Sequence, residues 1–244
     1  MSDLALELDD VVAGYGPLTI LNGLSFSAVR GHVTTLIGAN GAGKSTVFKC
    51  VFGLVPTRSG AIRFEGQSIT GRSPRALLGS GVVYVPQGRN LFPALSVRHN
   101  LELGGYTLAN RALLARRMDA VFERYPQLRA RADRQASTLS GGEQKMLEIG
   151  RALLLEPRLL LVDEPSIGLA PKVIGDVFRT LADLARDGMT VLMVEQNVKS
   201  ALAISDRAIA LQGGRVALEG PARELLADPR IGALFLGGQV KAAG

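Results

Sequence analysis

GANGAGKST, residues 38–46, lies between the β-branched run VTTLI and the helix-like segment KSTVFKCVFGL. That order, strand then glycine-rich loop then helix, is the setting required by the phosphate-binding pattern Gly-x-x-x-x-Gly-Lys-Ser/Thr. Glycines let successive backbone N–H groups curl around a phosphate, and the N-terminus of the following helix adds positive potential. Gly38, Asn40, Gly41, Ala42, Gly43, Lys44, Ser45 and Thr46 are therefore the candidate nucleotide-binding residues. Lys44 has the reach for the terminal phosphates of a nucleoside triphosphate, and the Ser45 hydroxyl is a candidate Mg²⁺ ligand.

Two later apolar runs end abruptly in polar groups. LLLVDEP closes on Asp163 and Glu164, and VLMVEQN closes on Glu195, Gln196 and Asn197. Short continuous apolar runs read as parallel strands covered on both faces, and ligands collect at the carboxyl ends of such strands. Asp163 is placed to hold Mg²⁺, usually through water. Glu164 is placed to act as general base on a water attacking the terminal phosphate. Each polar end has a plainer alternative, the capping of a following helix, which Pro165 supports for the acidic pair.

Around these motifs, LALEL, ILNGLSFSAV, VTTLI, AIRFEG and VVYV read as strands separated by Gly-rich turns. Ser96 to Glu156 reads as mostly helical. Strand and helix alternate again through LLLVD, a helix from Pro171 to Arg186, TVLMV, a helix from Asn197 and a hairpin in RAIALQGGRVALEG. The expected fold is α/β in one domain, with residues 1–95 and 157–244 forming the nucleotide-binding core and residues 96–156 inserted as a helical subdomain. The tail IGALFLGGQVKAAG is expected to fray after Gly238.

The 244 residues leave ample length for a buried core, and no segment offers the roughly 18 uninterrupted apolar residues of a membrane span. MSDLALELDD is acidic where a secretion signal would be basic, so a membrane role is expected to come through a partner. The lone Cys50 cannot form an internal disulfide and, among Phe48, Val51 and Phe52, reads as a small core residue. The net charge of +6 is most visible in RALLARRMDAVFERYPQLRARADR. Leu113, Leu114, Met118, Val121 and Phe122 recur there at helical spacing, so the arginines read as a solvated helix face. No aromatic stacking pattern supports nucleic acid as a partner.

Between the phosphate loop and VDEP lies LSGGEQKMLEIGRAL, in which Ser140, Gly141 and Gly142 present backbone N–H groups at a helix start. In that position the string resembles the signature of the ATP-binding cassette (ABC) ATPases, and the likeness extends over nearly the whole chain. Gln87 after VVYV resembles that family's glutamine loop, and Tyr15 in AGYG resembles its adenine-stacking aromatic. QGRNLFPALSVRHNLELGGY, VDEPSIGLAP, VEQN and FLGG look like the subgroup that energises uptake of branched-chain and other hydrophobic amino acids, in particular its LivF-type ATPase. Cassettes for amide or urea uptake share much of these strings, and those for lipid or lipopolysaccharide export are of similar length. Chromosome-type members insert a long coiled coil before the signature. The stretch from Lys44 to Leu139 shows no sustained heptads.

The resemblance implies a P-loop, RecA-like core with an antiparallel β subdomain and a helical insertion. It also implies ATP and Mg²⁺ as cofactors, and head-to-tail pairing of two cassettes. Ser45, Gln87 and Asp163 would face Mg²⁺. Glu164, Lys44, Gln196 and Gln87 would carry the hydrolysis, while Ser140, Gly141 and Gly142 serve the partner's ATP. Implied partners are two membrane permease subunits, a second ABC ATPase and, indirectly, an extracytoplasmic solute-binding protein, at the cytoplasmic face of the plasma membrane. The segment from Gln87 to Tyr106 is expected to face the permease. Two positions depart from the family pattern: Gln196 stands where most members carry histidine, and Ala170 where many place aspartate. Ala170 falls on a segment that normally runs along the dimer seam and points to a heterodimer rather than a self-sufficient homodimer, while Gln196 can still donate an N–H hydrogen bond but cannot titrate near neutral pH.

Overall fold

The computed structural model describes residues 3–108 and 110–235, so the expected fraying after Gly238 and the end of the FLGG string lie outside the described residues. Six strands form a central sheet in the order β10-β9-β3-β8-β7-β6, with ranges β3 Val33–Ile37, β6 Val82–Val85, β7 Leu159–Asp163, β8 Thr190–Val194, β9 Arg207–Gln212 and β10 Arg215–Pro221. All neighbours are parallel except the β9–β10 hairpin. VTTLI, LLLVD and TVLMV are buried at every position, as continuous apolar runs covered on both faces must be.

A second, antiparallel sheet has the order β2-β1-β4-β5, from β1 Leu4–Tyr15, β2 Leu18–Val29, β4 Thr57–Phe64 and β5 Gln67–Ser68. β1 runs well beyond LALEL. Asp9 and Asp10 do not end the strand but form a bulge: the register shifts between Leu8 and Val11, and Asp10 takes φ 48°. The helix after the phosphate loop, α1 (Lys44–Val51), is shorter than expected because Leu54 and Val55 turn their N–H groups back to Lys49 O. Between the sheets, Phe48, Leu21, Leu24 and Leu36 are fully buried in one apolar core, which also holds Cys50.

The other face of the central sheet is covered by α6 (Gly141–Leu153) and α7 (Pro171–Arg186). Between β6 and β7 the chain forms α3 (Val97–Gly104), α4 (Arg111–Arg124), α5 (Pro126–Arg129) and a short 3₁₀ turn (Ala136–Thr138) before α6. Three short helices escaped sequence reading: α2 (Pro74–Gly79), α9 (Ala222–Ala227) and α10 (Pro229–Phe235). At six or seven residues they are too short to show helical periodicity; the helix expected from Asn197 is present as α8 (Val198–Leu202).

The arginines of α4 are not simply a solvated face. Arg117 donates to Leu154 O at 2.8 Å and pairs with Glu156 at 2.5 Å, and Arg124 pairs with Asp187 beyond α7. Arg129 lies over the Phe122 ring. The Arg124 pair ties the inserted helices to the core layer, whereas the Arg117 and Arg129 contacts hold residues within 96–156 to one another.

The β9–β10 turn braces the phosphate loop. Gly214, at φ 75°, donates its N–H to Ala42 O at 3.1 Å and accepts from Asn22 N–H at 3.0 Å, joining the turn to both the loop and β2. A Cβ at this position would lie 1.8 Å from Ile20 O, so only glycine fits.

Candidate nucleotide site

The cleft over the phosphate loop is lined by Ile20, Asn40, Gly41, Gly43, Lys44, Ser45, Thr46 and Glu164. Gly43 caps α1 in a left-handed conformation, φ 102°, so the loop passes directly into the helix start. Lys44 is buried and folds back across the loop, its Nζ donating to Gly38 O at 2.8 Å and Ala39 O at 3.1 Å. Burial lowers its pKa, an effect opposed by the nearby carboxylates Glu164 and Asp163.

Asp163 ends β7 at 2 % exposure and is held on both oxygens: Ser45 Oγ donates to Oδ1 at 3.2 Å and Tyr84 OH to Oδ2 at 3.0 Å. Burial raises its pKa, the two hydroxyl donors pulling the other way. Burial, then the Asp163 charge, pushes Tyr84 far above the ordinary tyrosine range, so it stays a proton donor. Among the described residues no group of three or more His, Cys, Asp or Glu could enclose a metal. A hydroxyl and a carboxylate side by side nevertheless form a hard oxygen pair, which suits Mg²⁺ shared with phosphate oxygens.

Neither acid of VDEP caps a helix, since α7 starts only at Pro171. Glu164 takes φ 46°, a sparsely populated conformation for a non-glycine residue, fixed by its N–H donating to Val194 O at 2.9 Å. Its carboxylate then meets two amides. Gln87 Nε2 donates to Oε2 and Gln196 Nε2 to Oε1, each at 2.6 Å. Helix capping after β8 falls to Asn197, which accepts from Ser200 N–H at 3.4 Å.

Two contributors were missed by sequence reading. Tyr84 sits within VVYV, where nothing distinguishes it from a core aromatic. Glu195 was visible as an acid ending an apolar run. At 1 % exposure it accepts from Ser166 N–H and Ser166 Oγ, both at 2.8 Å, and from the N–H groups of Gln196 at 3.1 Å and Asn197 at 3.3 Å. It staples the segment after Glu164 to the segment holding Gln196. Burial raises its pKa, against those four donors.

Tyr15 and the signature residues lie elsewhere. Tyr15 ends β1, 45 % exposed, outside the cleft lining. Ser140 caps α6 in a reciprocal capping box with Glu143. Gly142 packs so closely on α7 that a Cβ would lie 2.5 Å from Val173 Cγ1, and one on Gly141 would lie 3.0 Å from Leu169 Cδ2. Ser140 and Gly142 line a separate cleft with Asp176 and Arg179 of α7.

The ABC transporter family profile matches residues 21–167. The chain is 42 % identical to the high-affinity branched-chain amino acid transport ATP-binding protein BraG of Pseudomonas aeruginosa, over 96 % of this chain and 100 % of that one. It is 40 % identical to the probable branched-chain amino acid transport ATP-binding protein LivF of Archaeoglobus fulgidus, over 92 % and 95 %. Among solved structures, the ADP conformation of MJ1267, an ATP-binding cassette of an ABC transporter, matches with TM-score 0.88 and 28 % identity, over 97 % of this chain and 100 % of that one.

Proposed function

This chain belongs to the ABC transporter family, and we propose that it is the ATP-hydrolysing subunit of an importer for branched-chain or other hydrophobic amino acids. The observation that carries the chemistry is the convergence of Gln87 and Gln196 on Glu164, beside the phosphate loop. The solute class rests on the relatives BraG and LivF.

In this reading the backbone of Gly41, Gly43 and their neighbours cradles the β- and γ-phosphates, and Lys44 turns from its carbonyl partners to meet them. Ser45 and Asp163, with the Gln87 side-chain carbonyl oxygen, are the residues that would hold Mg²⁺, which when bound would supply positive charge beside the phosphates. Tyr84 fixes the Asp163 carboxylate by donating to the oxygen that Ser45 leaves free. Glu164 orients a water toward the γ-phosphate and accepts its proton, and the two glutamine amides aim the carboxylate. Tyr15, at the rim, offers a ring face to adenine.

Ser140, Gly141 and Gly142 serve the ATP of a second cassette packed head to tail, so that each site is completed by two subunits. Their position on the 96–156 segment, away from the cleft lined by Lys44, supports that division of labour. The departure at Ala170 favours a different ATPase as that second cassette. Among the described residues no helix is long and apolar enough to cross a membrane. Attachment through two permease subunits at the cytoplasmic face, with a solute-binding protein on the far side, accounts for how such a chain energises transport.

The test is steady-state Mg-ATP hydrolysis by the purified subunit, alone and reconstituted with its permeases. Hydrolysis abolished by Glu164→Gln with nucleotide binding retained, and stimulated by binding protein loaded with leucine, is the expected result. Hydrolysis indifferent to Glu164→Gln overturns the chemical part, and stimulation by amides or urea alone overturns the solute class.

A further inference from the structure

The signature helix α6 carries a charged stripe whose members point inward rather than to solvent. Lys145 and Glu148 are an ion pair at 6 % and 3 % side-chain exposure. Burial this complete costs several kcal/mol per ion unless further hydrogen bonds compensate, and here those bonds go to the glutamine loop. Glu148 Oε1 accepts from Asn90 N–H at 2.8 Å, Arg151 Nη1 donates to Asn90 O, and Lys145 Nζ reaches Gly88 O at 3.4 Å. Arg151 also lies over the Phe92 ring. Asn90 is thus held through both sides of its backbone by α6. Its own side chain donates to Pro86 O at 2.9 Å, immediately before Gln87.

We infer that Glu148, paired with Lys145, is a positioning residue for Gln87: it fixes Asn90 on the signature helix, and Asn90 fixes the backbone from which Gln87 reaches Glu164. The consequence is a direct mechanical link. The helix whose N-terminus bears Ser140, Gly141 and Gly142 also sets the amide that aims the catalytic carboxylate of its own subunit. A shift of α6 is therefore transmitted to Gln87 without passing through the core sheet. This inference rests on the hydrolytic role of Glu164.

Two double variants separate positioning from stability. Both remove the buried charge pair as a whole, because deleting one partner alone strands the other in the interior. Lys145→Met/Glu148→Gln keeps a carbonyl acceptor for Asn90 N–H, whereas Lys145→Met/Glu148→Leu removes it. The leucine variant is expected to lose kcat about tenfold or more, with the KM for Mg-ATP within about twofold, the pattern of a lost transition-state contact. The glutamine variant is expected to recover most of that loss. In hydrogen exchange, which needs no turnover, the Asn90 amide exchanges faster in the leucine variant than in the glutamine variant. Equal kcat in the two variants, or equal exchange at Asn90, overturns the inference. Glu164→Gln is run alongside: if that variant still hydrolyses ATP, the failure lies in the proposed function instead.

Discussion

Gln196 Nε2 lies 2.6 Å from Glu164 Oε1, so a neutral amide, not a titrating ring, holds the carboxylate proposed to activate water. Replacement of Gln196 by Ala is expected to lower kcat about tenfold to hundredfold, the span expected for one hydrogen bond to a charged group. The amide has no proton to gain near neutrality. Gln196→His should therefore add to the pH–rate profile a limb near pH ~6.5 that the parent lacks. Superimposable profiles for the two proteins would count against contact between residue 196 and the reacting groups.

Asp163 should lower the stability of the fold at neutral pH. Its folded pKa is raised by burial, so the folded state binds its proton more tightly than the unfolded state does. Stability from this group is fully present below the unfolded pKa and is lost as pH rises through the folded one. Asp163→Asn carries no charge at any pH. It should unfold at a higher temperature than the parent at pH 7, with the advantage shrinking as pH falls toward about 4. Thermal melts across that range check the sign.

Ala170 is the N-cap of α7, with backbone angles suited to capping but no side chain to do it. Ala170→Asp should accept from the first-turn N–H groups and stabilise the protein by about 1 kcal/mol. Denaturant titration reads this directly, and an unchanged midpoint would show that the α7 start gains nothing from a cap.

Gly142→Ala should destabilise the chain even without a partner, because its methyl collides with Val173. Overpacking of this kind costs typically about 1–3 kcal/mol. Gly142→Ala/Val173→Ala should regain most of that stability, since the second change vacates the space. If the double variant melts no higher than the single one, the close approach to α7 is not what requires glycine.

The legible parts of this molecule were those written locally. GANGAGKST, LLLVDEP and VLMVEQN each placed a strand and its polar terminus, because buried parallel strands leave unmistakable apolar runs. The pairing of Gln87 and Gln196 on one carboxylate joins residues far apart in the chain, and no periodicity encodes it. Tyr84, Glu148 and Asn90 escaped for a related reason: each is an ordinary strand, helix or loop residue until the tertiary fold gives it a partner. LALEL stops short of Asp9 and Asp10 because two consecutive acids break the apolar alternation of the strand, and only its pairing in the sheet carries β1 through them as a bulge.

The brace at Gly214 has a consequence for the order of synthesis. The phosphate loop leaves the ribosome early, yet β3 is flanked by β8 and β9, and Ala42 O is satisfied by a turn from the last third of the chain. Contacts so distant in sequence form late, after the loop closures that precede them. A nascent chain stalled before Gly214 therefore carries the whole glycine-rich motif without the hydrogen bond that holds Ala42 O, and it is expected to bind nucleotide more weakly than the finished chain until the β9–β10 hairpin has joined the sheet.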